Sequence, residues 1–509
     1  MDSRSWDYAR SRRRVLWLAV LAAAALVLGP VVGPTTLVQP TAAEVAPGSP
    51  NMVLVMMDDM RADDLPWLPV VEHDIFERGV AYSRFYAPTS LCCPSRASVL
   101  RGQYPHNTGI LSNTEPAGGF AGSQRMDGQT LATWLDPTYQ TGYVGKYFNG
   151  YEGDAERYIP PGWNDWQGSL HTYHFLRALT NDNGVAVSDP GRYNSDVFGD
   201  QAVDFVAESA PSDEPYFLHL SMVAPHVGLP RTDGDGGVRT PYVPEPWQGT
   251  YSGPQYVQAP SFDEANVRDK TGPVRDLAPL TSGELSTLTM QTAQRRESLS
   301  ASNAAIERVL QAVDNSGEAD STYVAFMSDN GNVLGEHRFS IGKNLPYEAA
   351  SRLPFAIRGP GLTAGTTYDD LAGTMDVAPT MLDLADVQAD IELDGHTVLP
   401  GAPQNSLQSE RAVLLMASAG VVDPENGGAV EYAPQVPVDE TAWKYRGIVT
   451  GEWKLIRWVQ QDAWELYDLD RDPDEMKNLS EQPRWDEMQA QLTERLDLLW
   501  NCQGRACDG

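Results

Sequence analysis

The sequence predicts an α/β fold, a large and mostly parallel sheet sandwiched by helices, followed by a smaller C-terminal antiparallel sheet with a helix. Three observations carry this. Short apolar runs at 52–57, 142–145, 216–222 and 322–327 have the length of buried strands. Helical stretches lie between them, at 129–135, 193–207, 282–313 and 375–384, and such strand–helix alternation leaves the strands parallel and covered on both faces. Near residue 400 the character changes: Leu399-Pro400-Gly401-Ala402-Pro403 is a breaker cluster that reads as a linker.

Residues 1–43 read as an export signal. Ser11-Arg12-Arg13-Arg14 precedes fourteen apolar residues, Val15 to Leu28, and Thr41-Ala42-Ala43 offers a cleavage point. The arginines fit a twin-arginine signal for the export machinery. A retained signal anchor also fits, because apolar character resumes at Val31-Val32. Either reading puts the mature protein outside the cytoplasm, secreted or in the cell envelope. Residues 44–400 then form the main α/β domain. Its four strands run into Asp58-Asp59, Lys146, Ala224-Pro225-His226 and Ser328-Asp329-Asn330-Gly331. Ligands gather beyond the carboxyl ends of parallel strands, so these residues are site candidates. Each alone is equally an ordinary turn or helix cap. The Pro-, Gly- and Asp-rich stretch 230–279 reads as a long surface loop near that edge. Residues 401–509 hold strands at 412–416, 445–450 and 453–458, the last two joined at Gly451-Glu452 as a tight hairpin, and an amphipathic helix at 484–500.

Of 509 residues, 41% are hydrophobic and 9% aromatic, as in a globular protein. There are 37 basic and 69 acidic side chains, a net charge of −32. That balance argues against sequence-independent binding of nucleic acid and against processive movement along a polyanion, while a local basic pocket for one small anion is compatible with it. Only six of the basic residues are Lys, so a Lys inside a polar motif suggests a chemical choice. Of the four cysteines, Cys502 and Cys507 close a short loop around Gly504 and suit a disulfide in an oxidising compartment. Adjacent Cys92 and Cys93 are poorly placed to pair with each other.

The most specific string is Ser90-Leu-Cys-Cys-Pro-Ser-Arg-Ala-Ser-Val-Leu-Arg-Gly102. It resembles the signature of the type I, formylglycine-dependent sulfatases, in which the first Cys of Cys-x-Pro-Ser-Arg is oxidised to formylglycine by a formylglycine-generating enzyme. The match selects Cys92, which has Pro94 at +2 and Arg96 at +4. The resemblance runs from Asn51 to the tail and implies the alkaline-phosphatase-like sulfatase fold. It also implies one divalent cation bound through Asp58, Asp59, Cys92, Asp329 and Asn330. An all-oxygen, carboxylate-rich set independently suits Ca²⁺ or Mg²⁺. Arg96, Lys146, His226 and Lys343 match the family's sulfate-binding and proton-transfer positions. Tyr104-Pro-His-Asn107, Gly145-Lys-Tyr-Phe-Asn149, Pro160-Pro-Gly-Trp163 and the terminal cysteines resemble the N-acetylglucosamine-6-sulfatases. Two departures stand out. Arg101 replaces the usual Thr before the signature Gly, and Phe148 stands where many relatives have a His that serves as base. Asn149, His337 or a water are the substitutes for that base, and Trp163 and Trp166 are candidates to stack on a sugar.

The implied reaction is hydrolysis of a sulfate monoester of a small sulfated sugar, with N-acetylglucosamine 6-sulfate leading. The hydrated formylglycine attacks sulfur, Arg96, Lys146, Lys343 and the cation balance charge on the sulfuryl oxygens, and His226 protonates the leaving alcohol. A phosphonate or phosphate monoester hydrolase of the same superfamily is the alternative. An inactive secreted binding protein of this fold is the alternative of another class.

Overall fold

Every side chain of β1 (Asn51–Met57) is buried, and a strand without a solvent face belongs inside a covered parallel sheet. The computed structural model describes residues 48–152, 158–230, 238–271, 274–401, 411–419 and 443–508, so the export segment lies outside the described residues. In it β1 pairs in parallel with β7 (Tyr216–Ser221) and β8 (Thr322–Ser328), β7 with β3 (Gln140–Gly145), and β3 with β4 (Asp165–Ser169). From edge to edge the sheet reads β11 (Thr366–Gly373), β2 (Val80–Tyr86), β10 (Phe355–Arg358), β8, β1, β7, β3, β4, β5 (Arg177–Asp182) and β6 (Val185–Pro190). With β9 (Arg352–Leu353) paired to β2, it has eleven strands among the described residues. The flanks are mixed: β10 runs antiparallel to β2 and β8, and β5 and β6 continue antiparallel from β4. These flanking strands gave no apolar run. β10 has four residues, and β6 exposes Val185 and Val187 at the sheet edge.

The period of two along β1 divides the core. Met52, Leu54 and Met56 join one apolar cluster, and Val53, Val55 and Met57 the other. The longer helices are α1 (Cys92–Arg101), α2 (Asn194–Ser209), α3 (Ser282–Ser316), α4 (Val377–Ala385) and α5 (Asp486–Leu499). Helix α3 begins with a reciprocal cap: Thr281 Oγ1 accepts from the Glu284 amide at 3.3 Å, and the Glu284 carboxylate accepts from the Thr281 amide at 2.8 Å. It ends at Gly317, whose φ of 82° suits glycine.

The C-terminal residues form an antiparallel meander, β12 (Val413–Ser418), β13 (Trp443–Val449), β14 (Trp453–Trp458) and β15 (Ala463–Asp468). The expected hairpin is present, with Val449 opposite Lys454. Leu492, Leu496 and Leu499 of α5 enter a core that also holds Leu455, Tyr467, Tyr86 and Tyr104, so the small sheet shares its interior with the main unit. The stretch 230–279 departs from the expected surface loop. Its described residues are irregular apart from one 3-10 turn, Glu245–Trp247, but Val243, Val257, Val267 and Val274 are buried, and buried Lys270 donates to the Met476 carbonyl at 2.8 Å. The Cys502–Cys507 disulfide is formed. The Cys502 carbonyl accepts from Asn107 Nδ2 at 2.9 Å, and Asp394 accepts from the amides of Gly504 and Tyr104, both at 2.7 Å. The tail is thereby tied to the loop after α1.

Arg411, just before β12, makes a two-armed pair with Asp376 at 2.8 Å through each arm, both side chains being buried. Burial would raise the Asp376 carboxyl, but Arg411 and His396 outweigh it and hold it below the ordinary value. A depressed native pKa contributes stability above the ordinary carboxylate range, lost only as pH falls through the native value. Removing the cation reverses this, because burial then favours the neutral acid. Arg411→Met should therefore cost about 3–5 kcal/mol at neutral pH. The deficit should shrink toward about pH 4, where the stranded carboxyl can protonate. Denaturant unfolding at several pH values measures it, and a pH-independent deficit would contradict the assignment.

Candidate active site

Because β3, β7, β1 and β8 are adjacent and parallel, their carboxyl ends deliver Lys146, His226, Asp58-Asp59 and Asp329-Asn330 to one place. Backbone bonds continue just past the strands, from the Lys146 amide to the Ser221 carbonyl at 2.9 Å and from the Asp329 amide to the Met57 carbonyl at 3.1 Å. Helix α1 enters from the other side. Leu91 is extended, with φ −151°, Cys92 is the first helical residue, and Gly102 closes the helix at φ 69°. All of α1 from Cys92 to Leu100 is buried, which fixes where the signature points.

Six of the predicted residues form three buried ion pairs. Lys146 Nζ lies 2.6 Å from Asp58 Oδ2, Lys343 Nζ 2.9 Å from Asp59 Oδ1, and Arg96 Nε 2.8 Å from Asp329 Oδ2. Cys92 Sγ sits between the first two pairs, 3.5 Å from Asp58 Oδ1 and 3.2 Å from Lys343 Nζ. Asn330 Nδ2 donates to Asp59 Oδ1 at 2.6 Å. Asp59 itself has φ 67°, a left-handed conformation that Asp tolerates. Its carbonyl accepts from Arg295 at 2.5 Å and its amide donates to Asp329 Oδ1 at 3.2 Å. His226 Nδ1 lies 2.7 Å from the Val227 carbonyl, which can only accept, so Nδ1 carries a hydrogen and Nε2 faces Asp59 Oδ2 at 3.8 Å.

Burial and charge compete throughout. Burial alone would raise Asp58, but Lys146, His226, Arg96 and Lys343 hold it well below the ordinary range. Asp329 goes the other way, pushed up to about 6 by burial and by the neighbouring Asp58, with Arg96 and Lys146 opposing. Burial raises the Cys92 thiol well above its ordinary value despite both lysines. Left as a thiol, Cys92 stays protonated and is a poor nucleophile.

The residues fit a divalent cation. Donor atoms of Asp58, Asp59, Cys92 and His226 all lie within 4.8 Å of one another. Asn330 Oδ1 is buried without a hydrogen-bond partner among the described residues. An oxygen-rich set with an unpartnered amide oxygen suits a hard cation. His226 shares the cluster, but imidazole is a poor donor to such an ion, and its place suits proton transfer instead.

Some expected residues lie elsewhere. Trp166 is fully buried and its Nε1 donates to Tyr151 at 2.7 Å; Trp163 packs on Phe217 and Tyr143 inside the core. Neither can stack on a sugar. His337 is buried with Nδ1 2.8 Å from Glu264 and its ring against Tyr347, which removes it as a substitute base. Phe148 is core, and Arg101 points to Gln103 and Gln129 at the far end of α1. Asn149 reaches the site indirectly, by donating from Nδ2 to the Tyr173 hydroxyl at 2.9 Å. Tyr173, Arg295 and Ser221, which accepts from Arg96 at 2.7 Å, escaped sequence reasoning. Arg295-Arg296 inside an acidic chain was the one available signal.

The family described as Sulfatase matches residues 50–387, and the one described as N-sulphoglucosamine sulphohydrolase, C-terminal, matches 431–501. An extracellular sulfatase SULF-1 homolog of Drosophila melanogaster is 30% identical over 369 residues, 69% of this chain; the chain spans 31% of that relative's length. N-acetylglucosamine-6-sulfatase of Homo sapiens is 27% identical over 497 residues, covering 90% of this chain and 86% of the relative. Among solved structures, a complex with its substrate D-glucosamine-2-N,6-O-disulfate superposes with a TM-score of 0.66 over 88% of this chain and 97% of that one, at 22% identity. A phosphonate monoester hydrolase from Silicibacter pomeroyi reaches 0.61 over 88% and 94%, at 18% identity, a likeness of fold. Matched from before Asp58 to beyond Lys343, the chain belongs to the sulfatase family and is a sulfuric ester hydrolase.

Proposed function

We propose that the chain removes the 6-sulfate of a small or terminal sulfated glucosamine, using Cys92 matured to formylglycine and one Ca²⁺ or Mg²⁺ held by Asp58, Asp59, Asp329, Asn330 and the residue at 92. The observation that carries this is the position of Cys92 Sγ, between the Asp58–Lys146 and Asp59–Lys343 pairs beside the unpartnered Asn330 oxygen. When bound, the cation supplies charge against the sulfuryl oxygens and formylglycine supplies an oxygen nucleophile that a buried thiol does not. The chain's own groups do the rest. Burial would strip Lys146 of its proton, but Asp58 holds its pKa above the ordinary value, so an ammonium is kept for the sulfuryl group. Lys343 and Arg96 add fixed donors to the same anion. Nδ1 of His226 is committed to the Val227 carbonyl, so the proton for the leaving alcohol moves at Nε2.

The N-acetylglucosamine-6-sulfatase relatives and the disulfated glucosamine complex support the sugar. The net charge of −32 disfavours an extended polyanion, the repulsion acting over about 8 Å at physiological salt. Two relatives are named extracellular sulfatases, which supports export by the signal at 1–43; maturation by a formylglycine-generating enzyme rests on the spacing of Cys92, Pro94 and Arg96. Among the described residues no helix is long and apolar enough to cross a membrane.

Peptide mass spectrometry across residues 91–96 of active protein should find an aldehyde at 92 and an alkylatable thiol at 93. Cys92→Ala should lose turnover while remaining folded, and Cys93→Ala should cost about 1 kcal/mol of stability. Chelation should abolish turnover of 4-nitrophenyl sulfate, with Ca²⁺ or Mg²⁺ restoring it; rescue by Zn²⁺ alone would sink the metal assignment. Higher turnover of aryl phosphonate than of aryl sulfate would move the reading to the phosphonate hydrolases.

Sulfate release from N-acetylglucosamine 6-sulfate should outpace release from intact heparin-like chains. Ion chromatography of free sulfate decides this, and the reverse order would refute the preference for terminal groups.

A further inference from the structure

Between β4 and β5 the chain places one aromatic ring against two groups that the proposed reaction uses. Tyr173 stacks on His226 with ring centres 4.4 Å apart and planes 25° from parallel. Lys146 Nζ lies 5.2 Å from the centre of the same ring. The Tyr173 hydroxyl accepts from Asn149, which is held by the second cysteine of the signature: the Cys93 thiol donates to Asn149 Oδ1 at 3.4 Å and accepts from the Asn149 amide at 3.3 Å. Cys93 is thus linked through Asn149 and Tyr173 to His226.

The mount is stiff. The Leu229 amide donates to the Tyr173 carbonyl at 2.7 Å and the Phe175 amide donates to the Leu229 carbonyl at 2.6 Å, so the segment carrying Tyr173 is bonded to the chain three residues beyond His226. Gly228 allows this approach, since a Cβ there would lie 2.3 Å from the Phe175 ring and 2.6 Å from the Tyr173 carbonyl oxygen. The bond from Nδ1 to Val227 fixes one edge of the imidazole. The Tyr173 stack adds a restraint on the plane of the ring. A general acid acts only within hydrogen-bond reach of the leaving oxygen, and a misplacement of about 1 Å costs roughly a hundredfold.

We propose, resting on the sulfatase reading above, that Tyr173 is a positioning residue whose ring sets the plane of His226 and its spacing from Lys146, so that Nε2 meets the departing oxygen. As the attacking oxygen at residue 92 bonds to sulfur, the bond from sulfur to the departing oxygen breaks, its electron pair stays on that oxygen, and the proton passes to it from Nε2. His226 is left neutral and Tyr173 exchanges no proton.

The test compares kcat/KM for 4-nitrophenyl sulfate, whose leaving group departs unaided, with phenyl sulfate, whose leaving group needs the proton. The ratio within one protein cancels the fraction that has matured. Tyr173→Leu should lose at least about tenfold more on phenyl than on 4-nitrophenyl sulfate, and Tyr173→Phe, which keeps the ring, should stay within about threefold of the wild-type ratio. If Tyr173→Leu does not fold, Tyr173→Met makes the same comparison. Equal losses on the two esters, or Tyr173→Phe behaving like the apolar replacements, would overturn the positioning role. Wild-type protein with verified formylglycine that cleaves neither ester would remove the sulfatase reading itself, and this role with it.

Discussion

Three carboxylates lie out of water beyond the ends of the central strands, and each is matched by one buried cation from a distant part of the chain: Asp58 by Lys146, Asp59 by Lys343, Asp329 by Arg96. An unmatched charge there would cost several kcal/mol. Each pair spans about 90 to 280 residues, so the cluster ties the ends of β1, β3 and β8 to α1 and to the segment carrying Lys343. The same requirement explains why two of only six lysines fall here. Lys146 keeps its proton because Asp58 is beside it, and Asp58 keeps its charge because Lys146 is. Such mutual dependence makes the pocket polar and rigid at once, as preorganised binding of a singly charged sulfate ester group requires.

What the sequence disclosed follows from how the information is written. Residues after an apolar run in a parallel sheet must lie at one edge, so the sequence alone groups Asp58, Asp59, Lys146, His226, Asp329 and Asn330. The signature placed Cys92 and Arg96 because its spacing is local. The flanking strands β5, β6 and β10 were illegible, being short or polar, and β15 mixes Trp464, Glu465 and Asp468 with its apolar residues. The tryptophans misled for a physical reason. Trp163 and Trp166 follow a turn-rich segment that looks exposed, yet β4 pairs with β3 and carries Trp166 inward beneath Tyr143. His337 misled because nothing in its neighbourhood announces Glu264, more than seventy residues earlier.

Tyr173 was invisible for the opposite reason. It stands in no motif, and its relevance comes wholly from stacking on His226. Contacts of that kind depend on how two loops pass each other. Here the passage is set by Gly228 and by the bonds between Tyr173, Leu229 and Phe175. Cys93 is placed by contacts of the same kind. Its neighbour Cys92 heads α1 into the pocket, and the next position, turned about 100° along the helix, meets Asn149. Burial pushes the Cys93 thiol up to about 11, so it stays protonated and acts as a hydrogen-bonding strut.

The charge distribution then separates two scales. At the scale of the whole molecule the net charge of −32 repels anions. Within the pocket Lys146, Lys343 and Arg96 are each held beside a carboxylate. In water the outer field decays within about one Debye length, whereas the pocket groups act across 3–4 Å in a medium that screens them far less. On the proposed reading, a single sulfate at the end of a small sugar would therefore experience mainly the pocket once it is inside. On the same reading a sulfated polysaccharide would keep most of its charges outside, where the net charge of −32 opposes them.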